Sequence, residues 1–147
     1  MVAVGADILD LGAESTRPGS SRITEEEELR RLIPALRTIR CQPDAWAHSV
    51  VISVDTTRAT VAAAAIAAGA DLVNDISGGH FDGAMLTTVA RLEVPLVLMH
   101  TRGLPTEMMK LTSYGDLHAE VGSELTQRVL AAQACGLPPW MLIADPG

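Results

Sequence analysis

Aromatic side chains are almost missing from this sequence: two Trp, one Tyr and one Phe among 147 residues. A core must therefore come from Ala, Val, Leu and Ile, a composition that suits buried parallel strands. Cysteine is also scarce. Cys41 and Cys135 stand far apart with no metal-ligand spacing and read as plain thiols of a reducing compartment. Positive charge is short, and the formal net charge is −7. That balance argues against generic nucleic-acid binding, but it leaves room for an anionic small substrate held by local arginines. No apolar run approaches the roughly 18–20 residues of a membrane span, so no membrane partner is expected. Residues Met1 to Asp7 carry no basic region and no signal-peptide anatomy. Metal-ligand motifs, a Walker loop, a Gly-x-Ser-x-Gly elbow and a dinucleotide fingerprint are all missing, so no metal site is expected from these residues.

What is present is a rhythm. Five apolar runs end in a polar residue or glycine: Ile8 to Leu11 at Gly12, Val50 to Val54 at Asp55, Leu72-Val73 at Asn74-Asp75, Leu96 to Met99 at His100, and Met141 to Ala144 at Asp145. Helix-like segments separate them. A parallel α/β sheet places its site in this way, at the carboxyl ends of the strands. Thr24 with Glu27 three residues later makes a capping-box pattern, and Glu25 to Glu28 crowd a first turn where the helix dipole favours negative charge. That acidic run reads as a solvated face. Leu29, Leu32, Ile33, Leu36 and Ile39 follow at helical spacing, with Pro34 expected to kink the helix. Further helices are expected over Thr57 to Ala68, Gly83 to Leu92 and Tyr114 to Cys135. Gly5-Ala6-Asp7 repeats as Gly69-Ala70-Asp71, so Gly5, like Gly69, is expected to end a helix.

Five strands and four helices fall short of a (β/α) barrel, which needs eight of each and typically ~250 residues. The fold expected is α/β, a partial TIM barrel with about five of its eight parallel strands, in one domain over 1–147 truncated at both ends. A small flavodoxin-like sheet is the alternative.

Several residues are suited to chemistry. Glu14-Ser15-Thr16-Arg17-Pro18-Gly19 leaves the first strand with hydroxyls, a cationic fork and a rigid turn, which fits either an anion-handling loop or an ordinary βα turn. Asp55 is costly to bury unless it meets donors. It either caps the helix that begins near Thr57 or accepts hydrogen bonds from a heterocycle with adjacent N–H groups. Asn74 offers a donor and an acceptor to a planar ring edge, or serves a turn. Asp145 repeats the theme on the last strand. Met99 is either a flexible apolar wall or a core residue, and His100 reads as structural rather than as a base.

Leu9-Asp10-Leu11-Gly12-Ala13-Glu14-Ser15-Thr16-Arg17-Pro18-Gly19, Ser53-Val54-Asp55-Thr56, Asn74-Asp75-Ile76-Ser77, Met99-His100 and Asp145-Pro146-Gly147 together resemble the dihydropteroate synthase family. The resemblance spans the chain. It implies a TIM-barrel transferase of folate biosynthesis, joining a dihydropterin pyrophosphate to para-aminobenzoate with release of pyrophosphate. It also implies that Asp55, Asn74 and Asp145 bind the pterin ring and that Met99 and Ile76 line its slot. Thr16 and Arg17 would close over the pyrophosphate, and Pro18 would shape the aminobenzoate pocket where sulfonamides compete. Asp55, Asp145 and Arg17 would carry the chemistry. Magnesium is expected through an asparagine outside this chain, as are a homodimeric parent and a cytoplasmic or, in a eukaryote, mitochondrial setting. The 147 residues alone are expected to be weakly active or inactive. The competing readings are a pterin-binding methyltransferase-like module and a non-catalytic pterin-binding fragment.

Overall fold

The five strands pair in parallel and in chain order: β1 (Ile8–Gly12), β2 (Val51–Asp55), β3 (Leu72–Asp75), β4 (Leu96–Met99) and β5 (Leu142–Asp145). The computed structural model describes residues 1–15, 22–104 and 106–147. A flavodoxin-like sheet would place its first strand inside the order, so the sequential order excludes that alternative. Right-handed crossovers between neighbouring parallel strands put every helix on one face. Accordingly, α1 (Glu25–Arg40), α3 (Ala59–Ala67), α4 (Met85–Leu92) and α5 (Leu117–Ala134) pack in sequence against one another. A single helical layer outside sequentially ordered strands is a segment of a (β/α) barrel.

Alternation along the strands assigns the two faces. Ile52, Val54, Val73, Leu96 and Leu98 face the helices and are buried. Ala59, Val61, Ala62 and Ala65 of α3 are buried as well, their small side chains allowing the helix to lie close to the sheet. The opposite face carries Asp10, Ser53, Asp55, Asn74, Val97, Met99, Ile143 and Asp145, as the register shows.

The helix ends follow their local chemistry. The Thr24 side chain accepts from Glu27 N at 3.3 Å. The return half of the capping box is not made, because the Glu27 carboxylate turns to Arg30 and Arg31. α1 runs through Pro34 as one element. Gly5 (φ 99°) closes a 3-10 turn at Val2–Val4, and Gly69 (φ 109°) ends α3, both in the left-handed region glycine favours. The glycines of the paired Gly-Ala-Asp motifs therefore both reverse the chain ahead of a strand. One α-helix was not anticipated: α2 (Ala45–Ser49), a five-residue helix that seats the fully buried Ala47 just before β2.

At the amino ends of the strands, Arg40 acts as a clamp. It donates to the carbonyls of Gly69 at 2.7 Å and of Ala47 and Val50 at 2.9 Å, and it pairs with Asp71. Asp71 Oδ2 in turn accepts from Ile52 N at 2.7 Å.

Candidate functional site

At the carboxyl ends of the strands, Gly12, Asp55, Asn74, Val97 and Ile143 form one register row across the sheet. Asp55 and Asn74 are direct neighbours in it. Two residues further along, Met99 and Asp145 pair on β4 and β5. With strands about 4.8 Å apart, all four side chains emerge on one face within a few strand spacings.

Asp55 is the most unusual group. Its Oδ1 is buried with no hydrogen-bond partner among the described residues. Its pKa is pushed up to about 7, first by burial and then by the negative charges of Asp10, Asp75, Glu28 and Glu14. The helix-cap reading of Asp55 does not hold. α3 begins at Ala59, whose N–H donates to Asp82 Oδ2 at 2.7 Å, and Thr56 Oγ1 accepts from Arg58 N at 3.2 Å. Asn74 is oriented by Asp10, to whose Oδ2 its Nδ2 donates at 3.2 Å.

A small, partly open cleft beside Asp55 is lined by Glu14, Ser15, Arg22, Thr56, Ile76 and Phe81, among others. Asp55 and Ile76 thus share it, whereas Asn74 and Asp145 stand outside it on the open face. Met99 lines a neighbouring groove with Pro146 and Gly147. Asp145 Oδ1 accepts from Gly147 N at 2.9 Å, which turns the chain at the strand tip. Thr16, Arg17 and Pro18 lie outside the described residues.

The wall of the cleft is an ionic network that the sequence reading missed. Glu28, 1% exposed, accepts from Thr56 Oγ1 at 2.6 Å and pairs with Arg58. Arg58 also reaches Glu14 Oε2 at 2.7 Å and the carbonyl of Ile23 at 2.6 Å. Burying Glu28 corrects the solvated reading of the acidic run. Glu28 stands one helical step before Leu32 and Leu36 on the buried stripe, so its phase was the available signal.

Asp75, beside Asn74, points to the helix side instead. It is fully buried and accepts from Ser77 N and Gly79 N, each at 2.8 Å. Burial raises its pKa, opposed by those hydrogen bonds and by Arg128. His100 is structural: 6% exposed, with Nε2 2.9 Å from Glu124 Oε2. Glu124 and Glu120 also bind Arg102, whose guanidinium lies 4.0 Å over the Tyr114 ring. Among the described residues, no group of three or more His, Cys, Asp or Glu is placed to hold a metal ion.

Comparisons with known proteins point to one family. The family model described as "Pterin binding enzyme" matches residues 1–147. The dihydropteroate synthase of Synechocystis is 45% identical over 147 residues, covering 100% of this chain and 49% of that protein. The Yersinia pestis dihydropteroate synthase, solved in complex with a sulfonamide drug, superposes with a TM-score of 0.91 at 35% identity, over 99% of this chain and 51% of that one. The Burkholderia cenocepacia enzyme, solved with 7,8-dihydropteroate, gives a TM-score of 0.84 at 37% identity, over 99% and 50%. The chain thus spans about half the length of these relatives. Matched from end to end by the family model, with its polar strand tips on one face of a partial barrel, the chain belongs to the pterin-binding enzyme family.

Proposed function

We propose that this chain forms the pterin-holding half of a dihydropteroate synthase, which joins a dihydropterin pyrophosphate to para-aminobenzoate and releases pyrophosphate. The observation that carries this reading is the buried, unpartnered Oδ1 of Asp55. Such a carboxylate is costly until a ligand brings donors, and a pterin presents adjacent N–H groups along one edge. Asn74 adds a donor and an acceptor, Asp145 a second carboxylate, and Ile76 and Met99 apolar walls for a flat ring.

The chemistry then needs little from the protein beyond binding and charge. The bond from the pterin methylene carbon to the pyrophosphate oxygen breaks, and its electron pair leaves with pyrophosphate. The carbon and ring become cation-like, and the carboxylates of Asp55 and Asp145 favour that charge. The aromatic amine attacks, a C–N bond forms, and the amine loses a proton to solvent. A strong base is unnecessary, in keeping with the structural role of His100. Thr16 and Arg17 would hold the leaving group, and Pro18 the aminobenzoate site where sulfonamides compete.

Magnesium remains our expectation for the pyrophosphate, but the described residues do not fit it. Glu14 and Glu28 are committed to Arg58, and no three-ligand group exists among the described residues. No described helix is long and apolar enough to cross a membrane. The cytoplasm is the compartment we propose, with the mitochondrion the eukaryotic alternative, and a homodimer is the assembly. The 147 residues alone should turn over weakly or not at all, because β1 and β5 each pair on one side only among the described residues.

The test is pyrophosphate release from dihydropterin pyrophosphate and para-aminobenzoate, using the protein expressed from its complete reading frame. Release that Asp55→Ala lowers by about 100-fold or more supports the reading. Pterin binding without release would leave a non-catalytic binder, and methyl transfer from a folate to a corrinoid would replace the synthase with a methyltransferase.

A further inference from the structure

One buried cation in this chain has no role in the proposed chemistry. Arg128 projects from α5 and is 6% exposed. Burial lowers its pKa, while Glu124 and Asp75 oppose that shift. Its guanidinium makes its hydrogen bonds with the main chain at the end of β4 and just beyond it: Nη1 donates to the carbonyl of Met99 and Nη2 to that of Thr101 at 2.5 Å. These carbonyls flank the point where the chain leaves the sheet, just after the residue that pairs with Asp145.

A second contact links the same arginine to the β3 loop. Gly78 (φ +59°) lies so close that a Cβ there would sit 2.6 Å from Arg128 Cδ and 3.0 Å from the carbonyl oxygen of Met99. The loop holding Gly78 is folded by Asp75 and begins with Ile76. One guanidinium and its stem are therefore wedged between the segments that carry Ile76 and Met99, the two apolar walls.

We propose that Arg128 is a positioning residue for the pterin slot: it fixes the spacing of Ile76 and Met99 from behind, without touching ligand. The inference rests on the pterin-binding reading of this face. Its logic is geometric. A flat ring held between two walls is sensitive to their separation, and a misplacement of about 1 Å can cost orders of magnitude in productive binding.

Arg40 supplies a matched control. It too is an arginine clamping backbone carbonyls, but at the amino ends of the strands, far from the slot. Arg128→Lys and Arg40→Lys each keep the charge and remove the fork. The measurements are pterin affinity by fluorescence titration, para-aminobenzoate KM, and urea midpoint, on the protein from its complete reading frame. Arg128→Lys should weaken pterin binding by about tenfold or more, with the titration made well below the unfolding transition. Arg40→Lys should lower the urea midpoint with pterin affinity within about twofold. Gly78→Ala, which disturbs the junction from the other side, should reproduce the pterin defect without adding fully to Arg128→Lys. Equal pterin affinity in Arg128→Lys and wild type, or equal losses in the Arg128 and Arg40 variants, would overturn the proposal. Failure of the wild type to bind pterin would instead sink the functional reading beneath it.

Discussion

Asp55 and Asn74 are register partners at the tips of β2 and β3, yet only Asn74 has its side chain satisfied, by Asp10 at 3.2 Å. The Asp55 Oδ1 beside it is buried without a partner among the described residues. An acceptor left in that state costs the fold stability.

That cost depends on pH. The pKa of Asp55 is raised to about 7 in the folded state. The unfolded chain therefore loses this proton first, and the group weakens the fold as pH rises from about 4 to 7. Asp55→Asn removes the charge. It should raise the urea midpoint at pH 8, by about 2 kcal/mol in stability, with the gain fading toward pH 4. Pterin binding should be lost in the same variant. Chemical denaturation across that pH range checks the first result, and fluorescence titration the second.

Glu28 and Arg58 form a buried pair in the cleft wall. Removing one partner leaves an uncompensated buried charge. Arg58→Met should therefore destabilise the protein by about 3–5 kcal/mol, and adding Glu28→Gln should recover much of the loss. A double-mutant cycle measured by urea unfolding gives the coupling directly. Additive losses would show that the two side chains act independently.

His100 should not be needed as a catalytic base. Its ring is 6% exposed and engaged by Glu124. His100→Asn should lower stability by about 1–2 kcal/mol in urea unfolding and leave kcat within about threefold. A fall in kcat of about 100-fold or more with stability unchanged would contradict this.

Much of the fold was legible because each strand announces its own end. The five apolar runs match the observed strands to within two residues, and Thr24, Gly5 and Gly69 punctuate as expected. The short helix at Ala45–Ser49 was not legible, since five residues are too few to show a period. Asp55, Asn74 and Asp145 were visible as polar tips. Their unequal partners were not, because Asp10 reaches Asn74 across 64 residues of sequence. Arg128 was hidden for the same reason: nothing local distinguishes it from the solvated arginines of other helices. Only the arrival of the Met99 and Thr101 carbonyls explains its burial.

The most direct test is an NMR titration of the Asp55 side-chain carboxyl, with and without saturating pterin, in the protein from its complete reading frame. The free protein should titrate near pH 7, and pterin should lower that midpoint by about one unit or more, as ring N–H groups stabilise the carboxylate. An ordinary carboxylate midpoint in both states, or a raised one that pterin leaves unmoved, would contradict the account.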